Sequence, residues 1–361
     1  MFGVQSAWAS YNAVILADIN TGRILFEDRA DEVNYPASLT KLMTLYMVFN
    51  ALETGWLRLD QELIVSREAA ATPPVKLGLP AGSRITVENA IKSVAVFSAN
   101  DMAAVLSENL IRGRERDFAA MMTEVAGAIG LRNTNFSNAS GLPDDSHTST
   151  AKDMALLAIA LRQHYPQYWH FFSIPYFSYN GRSFRNGNGL LHNFSGADGM
   201  KTGFTTRSRY SLLSTARQGN QHLVAVVLGA PSRASREATS KQLFEFGFGR
   251  TASFTPRAAP STPVQVASAA PARTASSSSA PAAAPRIATG IGNAGVQFGA
   301  FSTERAAQNQ QARVRSALGI DTVLERNGGL VRVRARMSEA DANRVRAKCG
   351  QAGIECFVFR G

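Results

Sequence analysis

The chain has 361 residues, of which 45% are hydrophobic and 18% are charged, a globular composition with room for about two domains. It contains no run of eighteen apolar residues, so the sequence predicts no membrane-spanning helix. The formal net charge of +11 is uneven, because residues 251–361 hold 14 Lys and Arg against 6 Asp and Glu. A basic C-terminal third indicates an anionic partner, such as nucleic acid, anionic lipid or a cell-wall polymer.

The N-terminal residues suggest an exported protein and then a β-hairpin. Ala7-Trp8-Ala9 has the small-x-small pattern that precedes a signal-peptidase cut, so residues 1–9 are expected to be the end of a leader. An ordinary terminal tripeptide explains the same pattern equally well. Val14–Asp18 and Arg23–Phe26 are short apolar runs on either side of a turn signal, which predicts two paired strands.

The tetrad Ser38-Leu39-Thr40-Lys41 opens an apolar, helix-like run. A serine and a lysine three residues apart on a helix share one face, so Ser38 would have an amine beside its hydroxyl. If Lys41 is desolvated, it is neutral near pH 7 and accepts the proton of the serine. A serine at a helix start is also an ordinary N-cap, so the tetrad needs support from elsewhere in the chain.

Two downstream motifs supply that support. Ser98-Ala99-Asn100 lies where the sequence predicts a loop entering a helix, and Lys201-Thr202-Gly203 precedes a predicted strand near Tyr210. Helical patterns fill the middle of this region, and strands are predicted at both of its ends, with the later pair at 211–216 and 222–228, which indicates an α+β domain. The serine-lysine pair, S-x-N and K-T-G in this order are the signature of β-lactamases and penicillin-binding proteins.

The chain resembles the low-molecular-weight penicillin-binding proteins of the D-alanyl-D-alanine carboxypeptidase type over residues 10–250. The resemblance extends to longer stretches: Tyr35–Lys41, Phe136–Asp144, Asp198–Thr205 and Arg236–Ala238. It implies a β-lactamase/transpeptidase-like fold, with an antiparallel sheet beside a helical subdomain. It also implies a periplasmic enzyme that removes the terminal D-alanine from the peptidoglycan pentapeptide and that β-lactams inhibit covalently.

The resemblance assigns catalytic roles to the first two motifs. Ser38 would attack the D-Ala-D-Ala carbonyl and form an acyl-enzyme, with Lys41 as its base. Ser98 would relay a proton to the leaving D-alanine. Asn100 would orient Lys41 and the substrate amide.

It assigns substrate binding to the third motif and to one later arginine. Lys201 would help to keep Lys41 neutral by like-charge repulsion. Thr202, beside Gly203, and Arg236 would bind the free carboxylate of the substrate. The backbone N–H groups of Ser38 and Phe204 would form the oxyanion hole.

Two features limit these assignments. Some family members carry an arginine before the K-T-G motif, but this chain has Gly187 at that position. The resemblance therefore assigns no residue to an extra contact with the substrate carboxylate there. The histidines are scattered without metal-ligand spacing, so no metal or other cofactor is expected and they are interpreted as structural: His147, His164, His170, His192 and His222.

Beyond the first domain the composition changes twice. Residues 251–289 are rich in Ala, Ser, Pro and Thr, which predicts a disordered linker. Residues 290–361 are again globular, and their pattern predicts a small β-α-β-β-α-β domain if 321–325 form a strand. Cys349 and Cys356 are close enough in sequence for a disulfide in an oxidising compartment, although two free core thiols fit equally well.

This C-terminal domain resembles a SPOR domain, a family that binds septal peptidoglycan strands lacking stem peptides. Val296–Phe301 and the strand at Arg332-Val333 carry the resemblance, although the family has glycine soon after R-V and this chain continues to Arg336. RNA binding competes, since RNA-binding modules share the fold. The central strand shows no stacking aromatics, so no nucleic-acid partner is expected.

Three functions remain to be compared. The leading hypothesis is a periplasmic, septum-enriched carboxypeptidase, and D,D-endopeptidase activity on cross-links would use the same residues. A serine β-lactamase shares the three motifs, but no E-x-x-x-N loop is found between Ser98 and Lys201. A non-catalytic cell-wall-binding protein is the third.

Overall fold

The computed structural model describes residues 11–111, 115–249, 294–301, 304–327, 330–352, 354 and 356–360. The expected leader end at 1–9 and the expected linker at 251–289 lie outside the described residues. The remainder forms two compact units with separate sheets, and each is described by itself.

The larger unit combines short and long helices with an antiparallel sheet. Its strands are β1 (Ala13–Asp18), β2 (Ile24–Asp28), β3 (Glu62–Ile64), β4 (Arg84–Thr86), β5 (Tyr176–Tyr179), β6 (Arg182–Arg185), β7 (Ala197–Thr205), β8 (Arg209–Gln218) and β9 (Gln221–Ala230). The helices between residues 41 and 247 are α1 (Lys41–Glu53), α2 (Arg67–Ala71), α3 (Val87–Phe97), α4 (Asn100–Leu110), α5 (Glu115–Ala128), α6 (Ala151–His164), α7 (Leu190–Asn193) and α8 (Arg233–Gly247). Short 3-10 helices span Ala37–Thr40 and Pro166–Ser173.

The main sheet is assembled from both ends of this unit. Its strand order is β2-β1-β9-β8-β7, and every neighbouring pair is antiparallel. Every residue of β1 is buried, because apolar side chains line both of its faces and helices α6 and α8 both pack against it. The expected α+β fold is therefore confirmed, and the N-terminal hairpin and the strands around residues 211–228 occur as predicted.

The K-T-G motif precedes β8, the strand predicted near Tyr210, but it also lies in a strand that the sequence did not predict. This strand is β7, at the edge of the main sheet. The segment that precedes the motif contains Gly199 and few β-formers, so local propensity gives no strand signal there. Pairing with β8 overrides that propensity and fixes Lys201 opposite Leu213.

A buried polar network holds the start of β7 three residues before Lys201. The carboxylate of Asp198 accepts hydrogen bonds from Trp169 Nε1, Thr215 Oγ1, Arg217 Nε and His222 Nε2, at 2.7–3.1 Å. Burial opposes ionisation of Asp198. Even so, its contacts with His222 and the other donors lower its pKa to about 2.

Replacement of Asp198 by asparagine is expected to lower the free energy of unfolding by about 2–3 kcal/mol at pH 7, because hydrogen bonds to a buried charge are lost. The native pKa lies below the unfolded value of about 3.9, so the unfolded chain binds more protons between these two values. The stabilisation is thus complete above pH 4 and fades as the pH falls towards 2. Urea unfolding of both proteins across pH 2–7 measures this change.

Glu62→Gln is the matched control, since its pair with Arg84 is more than half exposed. It should change stability by less than about 0.5 kcal/mol at any pH. A D198N deficit that stays constant down to pH 2 would contradict an ionised Asp198.

The C-terminal unit is a four-stranded sheet with two helices. Its elements are β10 (Ala294–Phe301), α9 (Glu304–Leu318), β11 (Val323–Asn327), β12 (Leu330–Met337), α10 (Glu339–Gln351) and β13 (Phe357–Arg360), with strand order β11-β12-β10-β13. The predicted β-α-β-β-α-β order required a strand near 321–325, and this strand is present as β11.

The helices of this unit pack against one face of its sheet. Val331 and Val333 join side chains of α9 and α10 in one core, whereas Arg332 and Arg334 alternate with them and lie on the opposite face. Cys349 and Cys356 are buried in the same core and form a disulfide, with 6.3 Å between their Cα atoms. This separation is ordinary for a disulfide.

Candidate active site

Ser38 and Lys41 are in contact at the start of α1. Ser38 lies on the 3-10 helix that leads directly into α1, whose first residue is Lys41. Lys41 Nζ donates to Ser38 Oγ at 2.9 Å, to Asn100 Oδ1 at 2.7 Å and to the carbonyl oxygen of Ser140 at 2.5 Å. The lysine side chain is fully buried, while Ser38 is partly exposed. A hydroxyl open to the cleft therefore touches an amine that water does not reach.

The surroundings of Lys41 favour its neutral form. Burial, with the nearby charge of Lys201, holds the pKa of Lys41 well below its ordinary value of 10.5. Asp101 acts in the opposite direction but does not cancel the shift. Asp101 is itself engaged by backbone N–H groups of Leu77, Gly78 and Met102. Lys41 can therefore accept a proton from Ser38 near neutral pH.

The second motif forms the corner between α3 and α4. Ser98 ends α3 in the left-handed region, with φ 74°, a conformation that costs free energy for a non-glycine residue. Its Oγ is buried, and within the described residues it has no hydrogen-bond partner. Asn100 begins α4, and its amide nitrogen donates to Pro73 O while its Oδ1 accepts from Lys41. Within the described residues, the Ser98 hydroxyl at this corner thus has no hydrogen-bond partner, whereas two hydrogen bonds hold the side-chain amide of Asn100.

Lys201 is the second buried lysine of the site. Its Nζ donates to the carbonyl oxygen of Thr202 at 3.0 Å, and the side chain is almost fully buried. Burial and the charge of Arg236 lower the pKa of Lys201 to about 7. Two amines with lowered pKa values therefore lie on the two sides of the cleft, one on α1 and one on β7.

Arg236 reaches the same edge from α8. Its guanidinium donates to Ser211 O at 3.3 Å and to Gly187 O at 3.1 Å, and burial lowers its pKa to about 10. Its Nε is buried and has no hydrogen-bond partner within the described residues. A Cβ at Gly187 would lie only 2.8 Å from Thr202 Oγ1. Gly187 thus leaves the space beside Thr202 open. The guanidinium of Arg236, which contacts Gly187 O, is the cation next to this space.

Two close backbone approaches shape the cleft around Ser38. A Cβ at Gly203 would lie 3.0 Å from Pro36 O and 3.4 Å from Ser38 N, so β7 passes directly against the segment that carries Ser38. Gly141 has φ +80°, and a Cβ there would lie 1.9 Å from Ala37 O. Only glycine fits this position. Phe204, next after Gly203, is 53% exposed and packs against Tyr210.

A loop whose contact with Lys41 is not predictable from the sequence closes this site. Asn138 Oδ1 accepts backbone N–H bonds from Ser140, Gly141 and Leu142, which turns the Ser140 carbonyl onto Lys41. The Phe136–Asp144 stretch carries the family resemblance, but a contact made by a main-chain carbonyl leaves no side-chain pattern in the sequence.

His147 ties this loop to α1. Its Nδ1 accepts from Ser137 N, so Nε2 carries the proton and donates to Thr40 Oγ1 at 2.7 Å. Burial lowers the pKa of His147 to about 4, which keeps the ring neutral. The contact is structural, which agrees with the prediction for this histidine.

Within the described residues, no group of three His, Cys, Asp or Glu is arranged to hold a metal ion. A search of the same residues for a helix long and apolar enough to span a bilayer finds none.

Comparison with known proteins agrees with this geometry. A family model described as D-alanyl-D-alanine carboxypeptidase matches residues 3–232, and one described as SPOR domain matches residues 291–360. The D-alanyl-D-alanine carboxypeptidase DacA of Escherichia coli is 36% identical over 241 residues, covering 65% of this chain and 60% of the relative. DacF of Bacillus subtilis is 32% identical over 244 residues, covering 66% and 62%. The chain thus spans less than two thirds of the length of these relatives.

Solved structures give the same picture. The D-alanyl-D-alanine carboxypeptidase DacD of Francisella tularensis has a TM-score of 0.65 and 30% identity, over 66% of this chain and 70% of its own. Penicillin-binding protein D2 of Listeria monocytogenes, in its ampicillin-bound form, has a TM-score of 0.61 and 32% identity, over 67% and 98%. Since the first family model spans more than half of the chain, the protein belongs to the D-alanyl-D-alanine carboxypeptidase family, with a SPOR domain at its C-terminal end.

Proposed function

We propose that the protein is a serine-type D-alanyl-D-alanine carboxypeptidase that removes the terminal D-alanine of the peptidoglycan pentapeptide. The observation that carries this proposal is the contact between the buried Lys41 amine and Ser38 Oγ. Lys41 takes the hydroxyl proton as Ser38 attacks the carbonyl carbon of the penultimate D-alanine. The C–N bond then breaks, and the leaving amine receives a proton through the free hydroxyl of Ser98. Water hydrolyses the ester in the second half of the cycle.

The other site residues select the substrate and stabilise the transition state. Arg236 and Thr202 bind the terminal carboxylate, and Lys201 adds positive charge when protonated. The N–H groups of Ser38 and Phe204 hold the oxyanion, at about 3–4 kcal/mol per donor in comparable hydrolases. Asn100 holds Lys41 and the substrate amide. Gly203 allows β7 to approach closely enough for both oxyanion donors to reach one oxygen.

β-Lactams would acylate the same serine, because they mimic the D-Ala-D-Ala amide. A β-lactamase must also deacylate quickly, and class A enzymes use a dedicated glutamate for that step. Within the described residues, Lys41 Nζ forms hydrogen bonds with a hydroxyl, an amide and a main-chain carbonyl, and none of these partners is a carboxylate. This arrangement favours the carboxypeptidase. Endopeptidase activity would use the same residues and differs only in the leaving group.

Incubation with a fluorescent penicillin, followed by mapping of the labelled peptide, tests the proposal. Label is expected on Ser38, D-alanine release is expected from an acyl-D-Ala-D-Ala peptide, and nitrocefin turnover is expected to be slow. Rapid multiple turnover of nitrocefin would instead identify a β-lactamase. A protein that is not labelled and releases no D-alanine would be a cell-wall-binding protein without this activity.

The C-terminal domain would bind peptidoglycan strands that lack stem peptides and thereby concentrate the periplasmic enzyme at the division septum. The sheet face opposite its helices carries Arg332, Arg334 and Arg336. Arg334 is held there by Gln297 and Glu325, at 2.7 and 2.9 Å. A polar face with fixed guanidinium groups suits the hydroxyl and carboxylate groups of a glycan strand.

Deletion of residues 290–361 is expected to abolish septal localisation while kcat/KM on a soluble peptide stays within about twofold, because the two units have separate cores and sheets. Fluorescence microscopy of a tagged protein, together with a D-alanine release assay, measures both properties. Septal localisation that survives the deletion would contradict the role of this domain. Loss of both properties would contradict the independence of the two units.

A further inference from the structure

The neutral form of Lys41 has fewer N–H groups than oxygen contacts. When the side chain is protonated, its three N–H groups match the three oxygens of Ser38, Asn100 and Ser140. The neutral amine, which is the form that acts as a base, has two N–H groups and one lone pair. How these are distributed over the three oxygens decides whether the lone pair faces the Ser38 hydroxyl.

Two of these three oxygens can only accept a hydrogen bond. The main-chain oxygen of Ser140 carries no hydrogen. Asn100 Oδ1 is the carbonyl oxygen of its side chain, since Nδ2 donates to Pro73 O at 3.1 Å. Both N–H groups of the neutral amine are therefore used by these two acceptors. Among the described partners of Lys41 Nζ, Ser38 is the one with a proton to give, so the lone pair points at its hydroxyl.

The Ser140 carbonyl keeps its direction because the peptide groups on both sides of this residue are held at both ends. In the peptide that precedes Ser140, Thr44 Oγ1 donates to the carbonyl oxygen at 2.6 Å, and the N–H donates to Asn138 Oδ1 at 3.1 Å. In the peptide that follows it, the carbonyl oxygen accepts from Lys41, and the N–H donates to Asn138 Oδ1 at 2.7 Å. Neither peptide plane can turn without breaking hydrogen bonds.

The two supporting side chains come from different parts of the chain. Thr44 lies on α1 three residues after Lys41, so both side chains share one face of the helix. Thr44 and Ser140 are buried. Asn138 closes the loop on itself, since its Nδ2 also donates to Leu142 O at 3.0 Å. Loss of either supporting side chain leaves a peptide group of the loop without its partner, and this group can then turn.

We propose that Asn138 and Thr44 are positioning residues for the base. By fixing the Ser140 carbonyl, they aim the lone pair of Lys41 at the Ser38 hydroxyl. As Ser38 Oγ bonds to the substrate carbonyl carbon, its O–H bond breaks and the proton passes to this lone pair. An amine that presents an N–H group to Ser38 must turn before it can react. The inference rests on the proposed carboxypeptidase function and adds the residues that make its base effective.

Single-turnover acylation at increasing penicillin concentrations tests the proposal, because it separates the acylation rate constant from the dissociation constant of the complex. N138A is expected to lower the rate constant by about 10²-fold, the effect of a misplaced catalytic group. T44V keeps the shape of the side chain without its hydroxyl and should lower the rate constant by about tenfold, the size of one hydrogen bond. T44S keeps the hydroxyl and should stay within about threefold of the wild type. The dissociation constant should change by less than about twofold in all three variants, since the carboxylate site at Arg236 and Thr202 is unchanged.

Asn135→Ala is the matched control, since Asn135 Nδ2 holds a different carbonyl oxygen of the same loop, that of Ser146, at 2.7 Å. It should keep the wild-type rate constant. An unchanged rate constant in N138A, equal losses in N135A and N138A, equal losses in T44S and T44V, or a loss confined to the dissociation constant would overturn the proposal. If N138A does not fold, the comparison of T44V with T44S decides alone. A wild-type protein that penicillin does not acylate would overturn the proposed function, and this inference with it.

Discussion

Replacement of Ser38 by alanine is expected to abolish D-alanine release, with a loss in kcat of about 10⁴-fold or more, because no other described hydroxyl contacts Lys41 Nζ. The variant loses the only atom that can form the acyl bond in the proposed reaction. Covalent labelling by a fluorescent penicillin should disappear as well. The measurement is a progress curve of D-alanine release beside a gel of labelled protein.

The variant should remain folded, so the loss can be assigned to chemistry. Ser38 is small and partly exposed, and its truncation is expected to change the free energy of unfolding by less than about 1 kcal/mol. Ser137→Ala is a matched control on the neighbouring loop, where the hydroxyl contacts Ser146 and not Lys41. It should keep both activities. Normal labelling of S38A would show that another residue is the nucleophile.

The sequence predicts the site residues better than it predicts their geometry. Ser38 and Lys41 are found because helical spacing alone places them on one face. Asn100 and Lys201 are found because they stand in short motifs of defined order. The contact between Lys41 and the carbonyl oxygen of Ser140 has no such signal, since it depends on how Asn138 folds a distant loop.

The fold shows the same division between local and distant information. The hairpin β1–β2 and the strands β8 and β9 have clear apolar patterns and turn signals, so they are predicted nearly at their observed bounds. Strand β7 is missed because its residues have little intrinsic β-propensity, and tertiary pairing decides its structure. The Asp198 network joins segments that are far apart in sequence, which no local pattern reveals.

The buried amine of Lys41 has opposite effects on folding and on catalysis. Burial favours its neutral form, so the unfolded chain binds one more proton than the native state between the lowered native pKa and 10.5. The free energy of unfolding therefore rises with pH across that range. The same lowered pKa makes Lys41 a base at neutral pH, where an exposed lysine would be fully protonated.

Lys41→Met is expected to lower kcat/KM for D-alanine release by about 10²–10⁴-fold, the range of a lost general base, although the Ser38 hydroxyl is still present. In the wild type, acylation should become faster as the pH rises through the pKa of Lys41, well below 10.5, because only the neutral amine accepts the proton. This rising limb should be absent from K41M. Single-turnover acylation by a penicillin, followed across pH, measures both effects.

Lys92→Met is the matched control, since Lys92 forms a surface pair with Glu88 at 2.8 Å outside the site. It should keep the wild-type rate and pH profile. The free energy of unfolding of K41M, measured in urea, should also rise less with pH than that of the wild type. The reason is that the variant lacks the lysine whose protonation differs between the native and unfolded states. A rising limb in K41M at the wild-type position would mean that the base is a different group. Lys201, whose pKa is about 7, would then be the first residue to test.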